Sequence, residues 1–501
     1  MELYPVMTAY ARVLGCHVTS SCTITSVEQL FGLIRRRPCS VRRRRNNRLS
    51  PPLKILLIAH AFPPSGETGG SRIAHLCKYL PEFGVQPVIL TVQNRFHEHI
   101  DRTFLASPSI RVIRTAQHKT PLDWYAQWQA KRSPDETRAD DTKPNLHETY
   151  RLSRRLRHHL LSVLLFPDRY QGWYFPATRT ARHLLRKVDF DVVFSTAPPY
   201  IAHLIARSLK RQFKIPWIAD FRDPWVNNEV LLSSYPKWYV SLSARMEANC
   251  VRAADLVISN TDWQHRVMCE RYPTLPRERF VTLTNGFDNI EAPASLDVNK
   301  HKPLCCLHLG DIYQGRRIDT FCAGLSILVK ERKLDPNSVK VLFLGYTEQS
   351  QIEACRKIAG ELVNSGMIEF QQRVGKEEAR RRLWEADLLL IFQGGYRAQV
   401  PLKFYEYLST GKPVFAVAEP GALSELISHT GVGLWTGADN PREIAEKFLV
   451  SLTLPAKPAE VVQDRWAAQF HFRSLSRRLA TWIRKLQEEQ KGTERGRTPN
   501  S

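Results

Sequence analysis

The feature that most constrains this chain is an alternation, run through twice, of short apolar segments of strand length with amphipathic stretches of helical length. The first run starts after the Pro51-Pro52 pair with KILLIAH (54–60), the glycine-rich PPSGETGGSR and the amphipathic IAHLCKYLPEFG. Further apolar segments follow at 85–92, 110–115, 191–196, 216–221, 256–260 and 279–285. A polar, turn-rich stretch at 288–303 reads as a linker, and the alternation then begins afresh. Its segments are 304–310, 339–345, 367–374, 386–393, 413–418 and 432–437, with helical stretches near 316–333, 350–364, 376–385, 402–410, 421–428 and 440–452. Strands that read as unbroken apolar runs are covered on both faces, and strand–helix alternation implies parallel sheets with right-handed crossovers. The expected class is therefore α/β, with two Rossmann-like, doubly wound parallel-sheet domains over 51–290 and 300–460. A length of 501 residues suits two cores better than one. Residues 116–150 are polar and read as a long surface loop or lid, with helical periodicity returning near Tyr150. The tail, RWAAQFHFRSLSRRLATWIRKLQEEQ, reads as one amphipathic helix.

Charge adds a second constraint. The chain carries a formal +23, and residues 1–50 hold nine arginines against Glu2 and Glu28. That segment is expected to be a basic, disordered extension, or to lie upstream of the true translation start; a membrane-tethering arm is the sharper reading. The remaining positive charge attracts anionic membrane, nucleic acid or phosphorylated substrates without distinguishing them. The Arg-rich 35–48 run has no nucleic-acid reader motif beside it, so nucleic acid ranks last among partners. Ten cysteines occur without a CxxC pair, which reads as reduced cytosolic thiols. No uninterrupted apolar run reaches membrane-spanning length, and LLSVLLF (160–166) is far too short. A cytoplasmic location follows as the expectation.

In open parallel sheets, ligands bind beyond the carboxyl ends of strands, so the loops there hold the candidates. In HAFPPSGETGGSR (60–72), Gly66, Gly69 and Gly70 let backbone approach a phosphate at a helix start, or simply make a turn. In DFRDPW (220–225), Asp220 or Asp223 meets an acceptor hydroxyl, or an Asp–Arg ion pair ties down the loop. The third loop, GGYRAQVPLKFYEYLSTGKPVFA (394–416), carries the most weight. Amides near Val400, Pro401 and Leu402 open a helix suited to a diphosphate, and Glu406, one turn deeper, can accept two hydrogen bonds from a ribose diol. Lys403 and Arg316 can offset charge developing on a departing pyrophosphate. No Asp-x-Asp lies clearly at a strand end, so neither a catalytic metal nor any other cofactor is expected.

These segments, in this order from about Lys54 to Lys485, resemble the GT-B glycosyltransferases, specifically the retaining family 4 type of bacterial polysaccharide assembly. The likeness is carried by PPSGETGGSR, FPDRYQGWYFPA (166–177), DVVFSTAPPYIAH (191–203), PWIADFRDPW (216–225), ADLVISNTDW (254–263) and TNGFD (284–288). In the second half it is carried by LGDIYQGRR (309–317), ADLLLIF, PLKFYEYLSTGKPVFA and PGALSELISHTGVGL (420–434). The resemblance implies a cleft between an acceptor-binding first domain and a second domain binding a UDP- or GDP-linked sugar. It also implies a final helix over 461–490 returning to the first domain. Glu406 looks like the family's ribose-gripping acid, Gln399 to Leu402 like its diphosphate loop, and Arg316 like the basic residue beside it. Arg317 or Lys403 takes the place of a lysine usual after the first strand of that domain. The chain departs from the family pattern at Ala398, where many relatives have a second glutamate, and in having DFRD where many have a histidine.

The implied reaction is transfer of a hexosyl unit to a saccharide or polyprenyl-linked saccharide, with retention, at a membrane surface contacted peripherally. Two alternatives share the fold: a nucleotide-sugar 2-epimerase and a non-catalytic scaffold.

Overall fold

The computed structural model describes residues 51–97, 100–101, 110–120, 122–124, 159, 161–226, 228, 232–288, 303–313 and 316–495. The extension over 1–50, loop residues 121 and 125–150, and the linker residues 289–302 lie outside the described residues.

Two parallel sheets organise residues 52–501, which form one unit. The first comprises β1 (Leu53–Ile58), β2 (Val85–Val92), β3 (Arg111–Thr115), β4 (Val192–Ala197), β5 (Trp217–Phe221), β6 (Leu256–Ser259) and β7 (Phe280–Thr282). Its order is β3-β2-β1-β4-β5-β6-β7. The second comprises β8 (Leu304–Leu309), β9 (Val339–Leu344), β10 (Ile368–Gln371), β11 (Leu388–Gln393), β12 (Val414–Ala418) and β13 (Gly433–Thr436), in the order β10-β9-β8-β11-β12-β13. Every strand pair is parallel, so each connection must cross back over a face, and helices such as Thr68–Tyr79 and Asp319–Lys330 supply crossings. The apolar runs are explained by this cover. Leu56, Ile58 and Val193 pack into one layer of the first sheet while Ile55, Leu57 and Phe194 pack into the other. Two further layers sandwich the second sheet in the same way.

Both sheets reverse winding direction once, between β1 and β4 and between β8 and β11. Loops diverge at such a switch point and leave a crevice at the carboxyl ends of the strands. The loops after β8 and β11 hold Arg316 and the 394–401 segment, and those after β1 and β4 hold the glycine-rich turn and Pro198–Tyr200.

Two expectations need correction. The tail is two helices, Ala459–Phe470 and Phe472–Arg495, separated at His471, whose backbone is extended. The break is imposed from outside: Phe287 donates its N–H to the Phe470 carbonyl and accepts from the Phe472 N–H. A side chain at Gly286 would collide with the Phe470 carbonyl. The two strands of chain joining the halves thus run side by side. The first tail helix packs on the helix Leu402–Thr410, while the second covers the helix Thr68–Tyr79, with Ser476 donating to the Leu76 carbonyl (3.0 Å). The cysteines are also not all reduced: Cys322 and Cys355 form a disulfide between the helices Asp319–Lys330 and Gln349–Asn364. Both helices pack on one face of the second sheet, a proximity no spacing in the chain reveals.

Candidate active site

The helix Leu402–Thr410 starts from Pro401, whose backbone is extended (φ −65°, ψ 144°) and which supplies no side-chain cap. Its first amides therefore face outward without an internal acceptor, carrying the positive end of the helix dipole. At the other end Gly411 adopts a left-handed conformation (φ 71°), and a Cβ there would strike the Lys457 carbonyl. The same glycine accepts the Lys457 N–H (2.8 Å), so the helix is clamped from behind while its start stays open.

Lys403 extends from the first turn toward β8. Its Nζ lies 3.2 Å from His308 Nε2. His308 Nδ1 is 2.9 Å from the Leu390 carbonyl, a contact that needs the proton on Nδ1 and leaves Nε2 to accept from the lysine. Burial drives the His308 pKa well below its ordinary value, with the Lys403 charge adding to the effect, so the ring is neutral. Burial and the nearby Arg316 guanidinium lower the Lys403 pKa to about 7, against the pull of Asp311 and Glu406. Gly310, at the end of β8, has φ 119° and passes so close that a Cβ would stand 2.9 Å from Lys403 Nζ. Only glycine fits both demands.

Arg316 donates to the Asp311 carbonyl (2.7 Å) and lies over the Tyr313 ring, 4.4 Å from its centroid. Its Nε is buried with no hydrogen-bond partner among the described residues. Glu406 is half-buried, and no donor reaches its carboxylate among the described residues. Burial raises its pKa, opposed by Lys403 and Lys376. A carboxylate, two cations and open amides thus share the crevice at the β8–β11 switch point. A carboxylate with empty lone pairs accepts hydroxyl donors, and cations with open amides suit an anion.

Tyr396 was not a candidate from sequence, yet it senses Arg316 and Tyr313 on one side and Asp223 of the first half on the other. Asp223 is half-buried and its pKa is raised by burial, against the pull of Arg222. Asp220 needs correction. Its carboxylate is fully buried, with Oδ1 accepting from Arg72 (3.1 Å) and Oδ2 from Thr196 (2.8 Å). Arg72 also binds the Leu283 and Thr284 carbonyls, so Asp220 is the anchor of an internal network and does not reach an acceptor. Gly69 serves packing: the Arg222 guanidinium lies where its Cβ would be, and Gly70 presses on the backbone of Ala61 and Phe62. Arg317 turns aside to Asp319, with Nη2 2.9 Å from Oδ2, and does not join Lys403 and Arg316.

Gln399, Val400 and Pro401 form the turn before the helix, braced by Gln393, which donates to the Tyr396 and Gln399 carbonyls (2.7 and 2.8 Å). The Ala398 carbonyl accepts from Thr261 (2.7 Å), which ties the turn to the first half. A cavity of about 430 Å³ opens beside it, lined from one half by Trp263 and Arg271 and from the other by Tyr396, Ala398 and Gln399. Another, of about 270 Å³, lies between Thr261 and Glu425. Neither reaches Glu406 or Lys403, so the open space and the unsatisfied charges are neighbours and do not coincide. Among the described residues no group of three or more His, Cys, Asp or Glu side chains is gathered as for a metal ion.

Comparison with known proteins gives a consistent result. The family model "Glycosyltransferase Family 4" matches residues 133–289 and "Glycosyl transferases group 1" matches residues 304–453. No curated protein sequence matches the chain. Among solved structures, sucrose-phosphate synthase from Thermosynechococcus elongatus aligns with a TM-score of 0.59 at 15% identity, covering 87% of this chain and 99% of its own. HepE of Anabaena, in complex with UDP and glucose, gives 0.55 at 14%, with 86% and 99% covered. WaaG, a glycosyltransferase involved in lipopolysaccharide biosynthesis, gives 0.52 at 16%, with 86% and 99% covered. At such identities the neighbours speak for the fold alone, and the two tandem family models speak for the activity. The chain is thus a glycosyltransferase of GT-B fold, its first half matching the family 4 model and its second half the group 1 model.

Proposed function

We propose that this glycosyltransferase moves a hexosyl unit from a UDP- or GDP-linked sugar to a saccharide or polyprenyl-linked saccharide, with retention and without a metal. The observation that carries the reading is the Glu406 carboxylate, desolvated yet without a donor among the described residues, one turn inside a helix whose first residue has no side-chain cap. A ribose diol supplies two donors to that carboxylate, and the attached diphosphate then meets the Leu402 and Lys403 amides, the Lys403 ammonium and Arg316. The Anabaena neighbour, which binds UDP and glucose, supports a nucleotide-linked donor.

In the transfer the anomeric C–O bond to the diphosphate breaks while a bond to the acceptor hydroxyl forms on the same face. Negative charge grows on the departing diphosphate, and cations and amides fixed beforehand lower the barrier. A Lys403 pKa near 7 lets the ammonium charge fully when the diphosphate arrives. Asp223, on the opposite wall, accepts a hydrogen bond from the acceptor hydroxyl, and the proton released as the new bond forms passes to the departing diphosphate oxygen. Closure of the cleft excludes water and favours transfer over hydrolysis. Peripheral contact with an anionic membrane belongs to the same proposal: the chain is strongly basic, and no helix among the described residues is long and apolar enough to cross a bilayer.

Screening nucleotide sugars by thermal shift, then assaying sugar transfer with and without acceptor, tests the proposal. A UDP or GDP sugar should stabilise the protein and be consumed with acceptor present. Isomerisation of the donor without acceptor would establish the epimerase, and absence of any nucleotide binding would leave a scaffold.

A further inference from the structure

Two neighbouring helices of the first half carry basic residues without any acidic one. Tyr174–Lys187 carries Arg179, Arg182, Arg186 and Lys187, Ile201–Phe213 carries Arg207, Lys210 and Arg211, and neither contains an acidic residue. The helices pack against each other, and a groove of about 580 Å³ between them is lined by Arg182, Arg207 and Arg211, with Tyr174, Leu204 and Met246 as its apolar wall. Lys210 is neutralised by Asp255 (2.7 Å), but no carboxylate pairs with the three groove arginines among the described residues. Arg182 is held over the groove by donating to Ser208 Oγ (3.1 Å), while its Nε is buried without a partner among the described residues. Three guanidinium groups converging without an anion repel one another, and their forked donors match phosphate oxygens.

Apolar side chains continue this surface outward. Phe175 is 73% exposed and packs edge-on against the groove residue Tyr174, at a centroid distance of 5.3 Å. On the helix Lys237–Ala253, Leu242 and Trp238, 39% and 37% exposed, lie one and two turns before the groove residue Met246. Each of these helices leads into the next parallel strand, so Phe175 and Trp238, near helix starts, stand at the carboxyl edge of the sheet. That is the edge the cleft shares. Aromatic and aliphatic side chains beside unpaired arginines fit a bilayer surface, where rings enter the headgroup layer and guanidinium groups meet phosphate.

We infer that the groove of Arg182, Arg207 and Arg211 binds the phosphate of an anionic lipid headgroup and, with Phe175 and Leu242, seats the first half on the membrane. The inference deepens the membrane contact proposed above and rests on it, but not on the nucleotide site. The test is co-sedimentation of the full chain with phosphatidylcholine vesicles, with and without phosphatidylglycerol. Binding should require phosphatidylglycerol, weaken on the order of a hundredfold in R182Q/R207Q/R211Q, and weaken further in Phe175→Ser. The thermal shift by nucleotide should be unchanged, which reports that the variant is folded. Because Arg182 is partly buried, the exposed Arg211→Glu serves as a second variant and should also lose affinity. Equal binding by the wild type and all arginine variants would overturn the groove while leaving membrane contact standing. Absence of binding by the wild type would overturn both. Release by inorganic phosphate too dilute to screen the vesicle charge would assign the groove to a soluble anion and overturn the docking role.

Discussion

The two halves offer the same topological opening and use their charged residues in opposite ways. At the strand ends of the first half, Asp220 is saturated by Arg72 and Thr196, and Arg222 lies on Gly69 and donates to the Pro198 carbonyl. At the strand ends of the second half, Glu406 meets no donor and Arg316 keeps a buried Nε unpaired among the described residues, and Lys403 is held at a pKa of about 7. A saturated ion pair holds loops in place. Desolvated groups with spare capacity cost stability unless a ligand completes them. The contrast, more than the presence of charge, separates residues committed to structure from those with capacity left for a ligand.

Substitutions can break that contrast. Asp220→Ala leaves Arg72 buried and unpaired and should destabilise the fold by about 3–5 kcal/mol, read by chemical denaturation; a stable variant that has lost transfer would return Asp220 to the active site. Glu406→Ala should instead leave the unfolding midpoint nearly unchanged and weaken UDP or GDP binding by about 2–3 kcal/mol, read by calorimetry. Unaltered affinity would remove Glu406 from the ribose site.

The pH dependence sharpens the account of Lys403. Its pKa in the free protein is about 7, and a bound diphosphate favours the charged form, so above pH 7 the complex holds more protons than the free protein. Nucleotide affinity should therefore fall as pH rises from 7 toward the pKa in the complex, by at most about tenfold per unit. The slope should vanish in Lys403→Met, and a wild-type affinity flat over that window would contradict the placement. The smallest effect is expected at Arg317, whose exposed pair with Asp319 is worth at most about 1 kcal/mol; Arg317→Ala should leave nucleotide binding as it is.

Most of the architecture was legible because parallel strands covered on both faces appear as apolar runs, as ILLI within β1 and LLLIF within β11 show. The break at His471 was not, because it is set by pairing with Phe287, and helical periodicity runs straight through it. The disulfide was hidden for a similar reason. In the site, Glu406 and Lys403 could be found from their offsets along one helix. His308 could not: it is a lone polar residue in the apolar run of β8, and its role depends on the Leu390 carbonyl in β11. Asp220 misled because Arg222, its neighbour in sequence, points to Gly69, while Arg72 from another helix takes the carboxylate.

The most direct test of the account is a crystal structure of the protein with UDP bound. Ribose hydroxyls should lie within hydrogen-bond distance of the Glu406 carboxylate, with the diphosphate on the Leu402 and Lys403 amides beside Arg316. A nucleotide lodged between Trp263 and Ala398, with Glu406 untouched, would contradict it.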